Sequence, residues 1–385
     1  MPHIGKDVAY TWVSANGDLM SAMKNIPLLF SLTGLFALSI LVAAPADARP
    51  RTDPARWRTL NAQARKAGTG TSNRNLARVL FRVRRMPGAV GQLRSLYKGA
   101  IKTPANRADF ANYIKVRSDT SGFLGKTLGP AMARTSANKT AVARFMIGGK
   151  YRTSRVTDEV IDPATGKTVM KVYASSRKDV QDAISAAHGA SGKTAALSPK
   201  ARAEILRSVA RQLKARKGEL AQVMALESGK PLADALVEVD RAVNTFTLSA
   251  KEALKLKPRT ELTPGGKMKI SRAPVGVVSA IAPFNFPLNL VAHKLAPAIA
   301  AGNPVILKPS PRTPMTAMLL AQMVAKTAWP RAALSLVTPR VNNIAPLVKD
   351  PRVKMVSFTG SETVGWKIKK QASDKRVALE LGGNA

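Results

Sequence analysis

Val356-Ser357-Phe358-Thr359-Gly360-Ser361-Glu362-Thr363-Val364-Gly365 decides how the rest of this 385-residue chain is read. Its first half is strand-like and its second half opens a helix, Ser361–Gln371, so a strand hands over to a helix at Gly360-Ser361. Gly360 lets backbone come close to a ligand, and Ser361 has the chemistry of an N-cap. The N-terminus of that helix offers free N–H groups and a partial positive charge, which suit a pyrophosphate. Gly365 leaves room for close contact. Alone this is a weak signal, because many helices begin with Gly-Ser.

Working outward, the same alternation repeats. Strand Val275–Ile281 precedes a helix over 287–301, strand Pro304–Leu307 a helix over 313–326, and strand Ala333–Val337 a short helical stretch over 343–348. Lys354–Phe358 and Val377–Leu381 complete the set. Strands alternating with helices predict a doubly wound α/β domain on a parallel sheet with right-handed crossovers. Upstream, Phe145–Lys150 reads as a short strand leading toward the Pro/Gly turn of Val160–Gly166. Helices follow over 179–188 (capped by Ser176), from Ser198-Pro199, over 219–228, broken by Gly229-Lys230-Pro231, and over 232–254. These form an N-terminal helical layer.

Ligands of such sheets sit at the carboxyl ends of the strands, and the chemically capable residues fall there. Lys308, after Val305-Ile306-Leu307, can meet a ribose or phosphate, although a lone lysine there is more often solvent-facing. Asn285, between Phe284 and Phe286-Pro287, is either a turn residue or a donor to an oxyanion. Glu380, before Leu381-Gly382-Gly383, is a carboxylate at a buried strand end, where a base can be tuned.

In this order, APFNFP (282–287), GNPVILKPS (302–310), VSFTGSETVG (356–365) and LELGGN (379–384) resemble the aldehyde dehydrogenase superfamily. IDPATGK and ESGKP upstream are similar to it as well, so the resemblance covers about residues 143–385, of which 145–385 are taken as the cofactor-binding portion. It implies a Rossmann-like fold of that type and NAD(P)-dependent oxidation of a small aldehyde to a carboxylic acid. In that chemistry a cysteine attacks the aldehyde, hydride leaves to the nicotinamide, and water hydrolyses the thioester. Asn285 then matches the amide that steadies the oxyanion, and Glu380 the base for water and thiol. Lys308 matches the adenosine-ribose ligand, Gly360 and Ser361 the pyrophosphate contacts, and Leu381 and Gly382 the nicotinamide side. Ile281, Pro283, Phe284, Ser310 and Val364 join them as cofactor-binding positions. Homo-oligomers are the family's habit.

Three departures from the family pattern stand out. The 385 residues contain no cysteine, so the chain is expected to stop before the nucleophile, the catalytic domain and the C-terminal arm that joins subunits, and to be inactive alone. Relatives that prefer NAD carry Glu three residues after the lysine; here Pro311 stands there, followed by Arg312, which removes repulsion against a 2′-phosphate and favours NADP beside NAD. The glycine-bearing turn after the third strand reads Thr338-Pro339-Arg340-Val341-Asn342 without glycine. A non-catalytic dinucleotide-binding relative, membrane-tethered or not, is the alternative reading.

Charge sets the chain apart: 61 Lys+Arg against 23 Asp+Glu give +38, of which residues 1–144 hold +17 and residues 145–385 hold +21. No recognition motif accompanies the charge and aromatics are only 5%, so a solvated basic surface is favoured over nucleic-acid binding. His3, His188 and His293 have no metal-ligand spacing, and no metal site is expected.

Residues 1–48 read as a leader. Ile26–Ala44 carries no charge; Met23-Lys24-Asn25 precedes it, and Ala46-Asp47-Ala48 follows. It fits a secretory signal or, with Arg49, Arg51, Arg56 and Arg58 behind it, a membrane anchor that leaves the downstream residues in the cytoplasm. Cytoplasmic placement of 145–385 is favoured, with export as the alternative. Residues 49–144 read as a basic, poorly ordered extension, with one amphipathic segment at Leu76–Met86.

Overall fold

The computed structural model describes residue 116 and residues 119–133, 142–263, 266–372 and 374–382. The leader with Ile26–Ala44, and the segment Leu76–Met86, lie outside these residues. Among the described residues, no helix is long and apolar enough to cross a membrane.

In chain order the elements begin with helix α1 (Thr120–Leu128) and strands β1 (Met132–Ala133), β2 (Val142–Ala143), β3 (Phe145–Ile147), β4 (Lys150–Arg152), β5 (Thr157–Ile161) and β6 (Thr168–Tyr173). A helical run follows: α2 (Arg177–Ala195), α3 (Pro199–Ala215), α4 (Lys217–Ser228) and α5 (Leu232–Lys255). After the hairpin β7 (Arg259–Thr263) and β8 (Gly266–Ile270) come β9 (Val277–Ile281), α6 (Asn289–Ala300), β10 (Val305–Lys308) and α7 (Pro314–Ala325). The series ends with β11 (Leu334–Leu336), α8 (Ala345–Lys349), β12 (Val353–Gly360), α9 (Glu362–Gln371) and β13 (Arg376–Leu381).

Local chemistry explains the helix boundaries. Ser176 and Asp179 form a reciprocal capping box at α2, and Ser198 accepts from the Ala201 N–H with Pro199 in the first turn of α3. Gly229, at φ 69°, ends α4 in the left-handed conformation.

The main sheet has the order β13-β12-β9-β10-β11-β3-β4. The first five strands are parallel, as the alternating text predicts. The wholly parallel sheet is corrected, however: β3 and β4 extend it antiparallel beyond β11. The Gly148-Gly149 turn, whose φ values of 54° and 78° give the two-residue reversal that a twisted hairpin needs, lays β4 antiparallel to β3. A second, four-stranded sheet has the order β1-β2-β6-β5.

Period-two side chains of the main sheet feed two cores. On one face Val278, Ala280, Val305 and Leu307 join α3 to α7, with α5 packed on α3, α4 and α6. On the other, Val277, Ile281, Ile306, Val356 and Phe358 meet Val180 and Ile184 of α2, Leu347 of α8 and Ile368 of α9. Strands covered on both faces read as continuous apolar runs, as all five buried residues of β9 do.

The packed fold begins earlier than 145. Leu124 and Leu128 of α1 are fully buried in the first core. The Leu128 carbonyl accepts from Gln322 Nε2 at 2.7 Å, and the Thr127 carbonyl from Arg216 at 3.3 Å. Apolar residues at helical spacing thus draw part of the basic extension into the fold.

Candidate functional site

The chain runs from β9 outward to β10 and β11, then crosses back to lay β12 and β13 on the other side of β9. That reversal leaves a crevice at the carboxyl ends of β9 and its neighbours. Register aligns the residues around it. Lys308 and Phe358 both pair with Ile281, Thr359 pairs with Glu380, and Gly360 with Leu381.

A polar chain runs from buried Lys294 to Glu380; the expected buried strand end is corrected, because β13 is the outermost strand of the sheet and Glu380 is exposed. The Thr359 hydroxyl donates to Glu380 Oε2 at 2.7 Å and accepts from Lys294 Nζ at 2.7 Å; Lys294 also donates to Ser357 Oγ at 3.2 Å. Lys294 sits in α6, and burial pulls its amine down to about 8, opposed by the Glu380 charge. The sequence reading missed Lys294. Its signal was a charged residue within an otherwise buried helix face, between Ala292 and Leu295.

On the other side of β9, Lys308 is buried, and desolvation lowers its amine to about 8. Its Nζ donates to the Pro309 carbonyl at 2.8 Å. The crevice against which it lies is also lined by Asp158, Val172, Pro311, Pro314, Thr338 and Pro339. Ser310, also buried, accepts from the Arg312 N–H at 3.2 Å. Arg312 places its guanidinium 4.7 Å from the ring centre of Phe284, which is 44% exposed at the end of β9. The glycine-free turn is tied down instead: Arg340 pairs with Asp158 of β5 at 2.6 Å, and the Thr338 N–H donates to Ser175 Oγ at 2.9 Å.

At β12, Ser361 occupies the N-cap position with extended backbone, but its side chain makes no capping bond. The expected side-chain cap is therefore corrected, and the first-turn N–H groups of α9 stay open to an acceptor. Gly365 lies under Leu381: a Cβ there would come within 2.3 Å of Leu381 Cδ2. Val364 is largely exposed, Pro283 half-buried, and Gly382 N donates to the Gly360 carbonyl at 3.3 Å.

Asn285 lies on the segment joining β9 to α6. Its Oδ1 accepts from the Phe286 N–H at 3.1 Å, which engages the amide oxygen locally. Its backbone carbonyl accepts from Lys230 Nζ at 3.0 Å. Lys230 also pairs with Glu238 and stands 4.6 Å from the Phe286 ring centre. Buried Glu238 accepts from the Leu288 and Asn289 N–H groups at 2.9 and 3.1 Å, at the start of α6. Glu227 does the same at the start of α7, accepting from Met315 N at 2.7 Å, Thr316 N at 3.0 Å and the Thr316 hydroxyl. Burial pushes Glu227 up to about 8 against those three donors, with the Glu238 charge adding to the rise. Neither carboxylate was given a role from sequence, although Glu227 opens the ESGKP stretch quoted for the resemblance.

Among the described residues, no group of acidic or imidazole side chains could hold a metal ion. The donors present suit an anion: a buried amine at β10 and an uncapped helix N-terminus after β12.

Comparison with known proteins agrees with this geometry. The family described as "Aldehyde dehydrogenase family" matches residues 151–385. The lactaldehyde dehydrogenase of Methanococcus maripaludis strain C7 is 38% identical over 231 residues, 59% of this chain and 50% of that protein. The 3-sulfolactaldehyde dehydrogenase of Priestia megaterium is 36% identical over 258 residues, 65% of this chain and 54% of its own. The glyceraldehyde-3-phosphate dehydrogenase of Methanocaldococcus jannaschii, solved in complex with NADP, superposes with a TM-score of 0.57 at 38% identity, covering 60% of this chain and 52% of that one. The chain thus spans about half the length of the relatives it matches. With the family match extending over residues 151–385, it belongs to the aldehyde dehydrogenase family.

Proposed function

We propose that residues 145–385 bind NADP or NAD and serve the oxidation of a small aldehyde to a carboxylic acid. The observation that carries this is the alignment of Lys308, Ile281, Thr359–Glu380 and Gly360–Leu381 in neighbouring registers at the carboxyl ends of four adjacent parallel strands. When bound, the dinucleotide supplies a hydride acceptor. Lys308 and Ser310 hold its ribose side, the open N–H groups after Gly360-Ser361 meet its phosphates, and Ile281, Pro283, Phe284, Val364, Leu381 and Gly382 frame the rest. Asn285 presents an amide donor to an oxygen that becomes negative, and Glu380 takes the proton of water. Pro311 and Arg312 support acceptance of a 2′-phosphate. The relatives named above point to a short hydroxy- or phospho-aldehyde as substrate. A cytoplasmic setting is consistent with use of a nicotinamide pool.

The covalent step needs a thiolate, and the 385 residues hold no cysteine. That observation favours a second reading, a dinucleotide-binding relative that does not turn over aldehydes by itself. Calorimetry of the full chain with NADP and NAD tests the shared part. Binding of NADP at least as tight as NAD is expected, and absence of binding by either would overturn it. Aldehyde-dependent reduction of the dinucleotide, lost in Glu380→Gln, would overturn the second reading.

A further inference from the structure

We infer that Lys230 and Glu238 are positioning residues for Asn285, so that the helical layer, and not the sheet, sets where its amide is presented. This rests on the role proposed for Asn285. Beyond Ala282, whose N–H donates to the Lys308 carbonyl at 3.0 Å, the segment 283–288 lies outside the strand, and Asn285 itself is exposed. A polar donor on such a segment is useful only if its backbone is fixed.

The fixing comes from α5 and the turn before it. Glu238 is 1% exposed, and its two oxygens divide the work. Oε1 takes the Leu288 and Asn289 N–H groups, and Oε2 takes the ammonium of Lys230. The Lys230 side chain is only 14% exposed, so it is no ordinary surface lysine. Its ammonium reaches on to the Asn285 carbonyl and lies against the Phe286 ring. Carbonyl, ring and two N–H groups of one short segment are thereby held by a single ion pair. Asn285 Oδ1 is occupied by the Phe286 N–H, and its amide N–H bonds have no partner among the described residues. A held carbonyl on one side and a held amide oxygen on the other fix the direction of those two donors.

The test uses full-length protein labelled with [15N]asparagine, the Asn285 side-chain amide being assigned by its loss in Asn285→Asp. In Lys230→Met, the Asn285 amide pair is expected to shift and broaden. Hydrogen exchange of the peptide spanning 284–292 is expected to accelerate at least tenfold. The amides of Asn244, Asn303 and Asn342 should stay in place. Lys230→Arg keeps a cation and should restore both signals. Glu238→Gln should reproduce the Lys230→Met change, and the double variant should be no worse than either single one. An unmoved Asn285 pair in Lys230→Met, an equal disturbance of all asparagines, or no restoration by Lys230→Arg would each overturn the inference. None of these readouts requires a bound dinucleotide, so failure of NADP and NAD binding would refute the proposed function separately.

Discussion

The Thr359 hydroxyl bridges Lys294 and Glu380, accepting from the first and donating to the second, both at 2.7 Å. A side chain with one proton and free lone pairs is the smallest group that links a buried ammonium to a carboxylate two strands away from its own helix. Threonine can do it where valine of the same shape cannot.

Thr359→Val is therefore expected to destabilise the fold by about 1–3 kcal/mol, because buried Lys294 keeps only Ser357 as an acceptor among the described residues. Thr359→Ser should recover most of the loss. Urea unfolding of the three proteins measures it; equal midpoints would show that the lysine finds water instead.

Dinucleotide binding should take up protons around pH 8 to 9. Lys308 is held near 8 by burial, so part of the population is neutral there, and an adjacent phosphate or ribose favours the charged form. The calorimetric enthalpy should then depend on the ionisation enthalpy of the buffer, and affinity should fall as pH rises above 8. Lys308→Met should weaken binding and remove the buffer dependence. A wild-type enthalpy indifferent to buffer would contradict the assignment.

Glu227 makes stability fall with pH. Its folded value is about 8, against the ordinary carboxyl value of 4.5 in the unfolded chain. Between those limits the folded state retains a proton that the unfolded state releases. The contribution is thus fully present below about 4.5, is lost at up to about 1.4 kcal/mol per pH unit across the window, and is flat above 8. Glu227→Gln should flatten that part of the profile. Unfolding midpoints at pH 5.5 and 7.5 in both proteins test it, and an identical slope in the two would refute it.

Gly365→Ala should loosen the proposed dinucleotide site without touching a polar group. The added methyl would meet Leu381 Cδ2 at 2.3 Å, so Leu381 must move away from its place at the end of β13. A cost of about 1–3 kcal/mol in stability and a roughly tenfold weaker NADP affinity are expected, the latter worth about 1.4 kcal/mol. Thermal unfolding and calorimetry read the two effects separately.

What the sequence made legible was whatever depends on local period and on strand ends. The five parallel strands, the helices between them, and the placement of Asn285, Lys308, Gly360 and Glu380 all follow from runs such as Val277–Ile281 and the break at Gly360-Ser361. What stayed hidden depends on partners far apart in the chain. Lys294 meets Thr359 across 65 positions and Glu238 meets Leu288 across 50, and no local pattern marks either lysine or glutamate as paired. The antiparallel extension was concealed differently. Phe145–Lys150 read as one short strand, so the reversal at Gly148-Gly149 went unseen, and nothing in Phe145–Ile147 says that its partner is Leu336.

That extension has a consequence for how the protein stays dispersed. Without β3, the third strand of the parallel set would end the sheet with bare N–H and C=O groups along Leu334–Leu336, an apolar template for pairing with another molecule. The hairpin covers this seam and puts β4 on the outside, where Lys150 and Arg152 are exposed and repel a like edge. Its reversal leaves Gly149 no freedom, since a Cβ there would lie 2.8 Å from the Arg331 Cβ. Resistance to aggregation thus depends on a pair of glycines at the far side of the sheet from the chemistry, and substitutions there would first be noticed as insoluble protein.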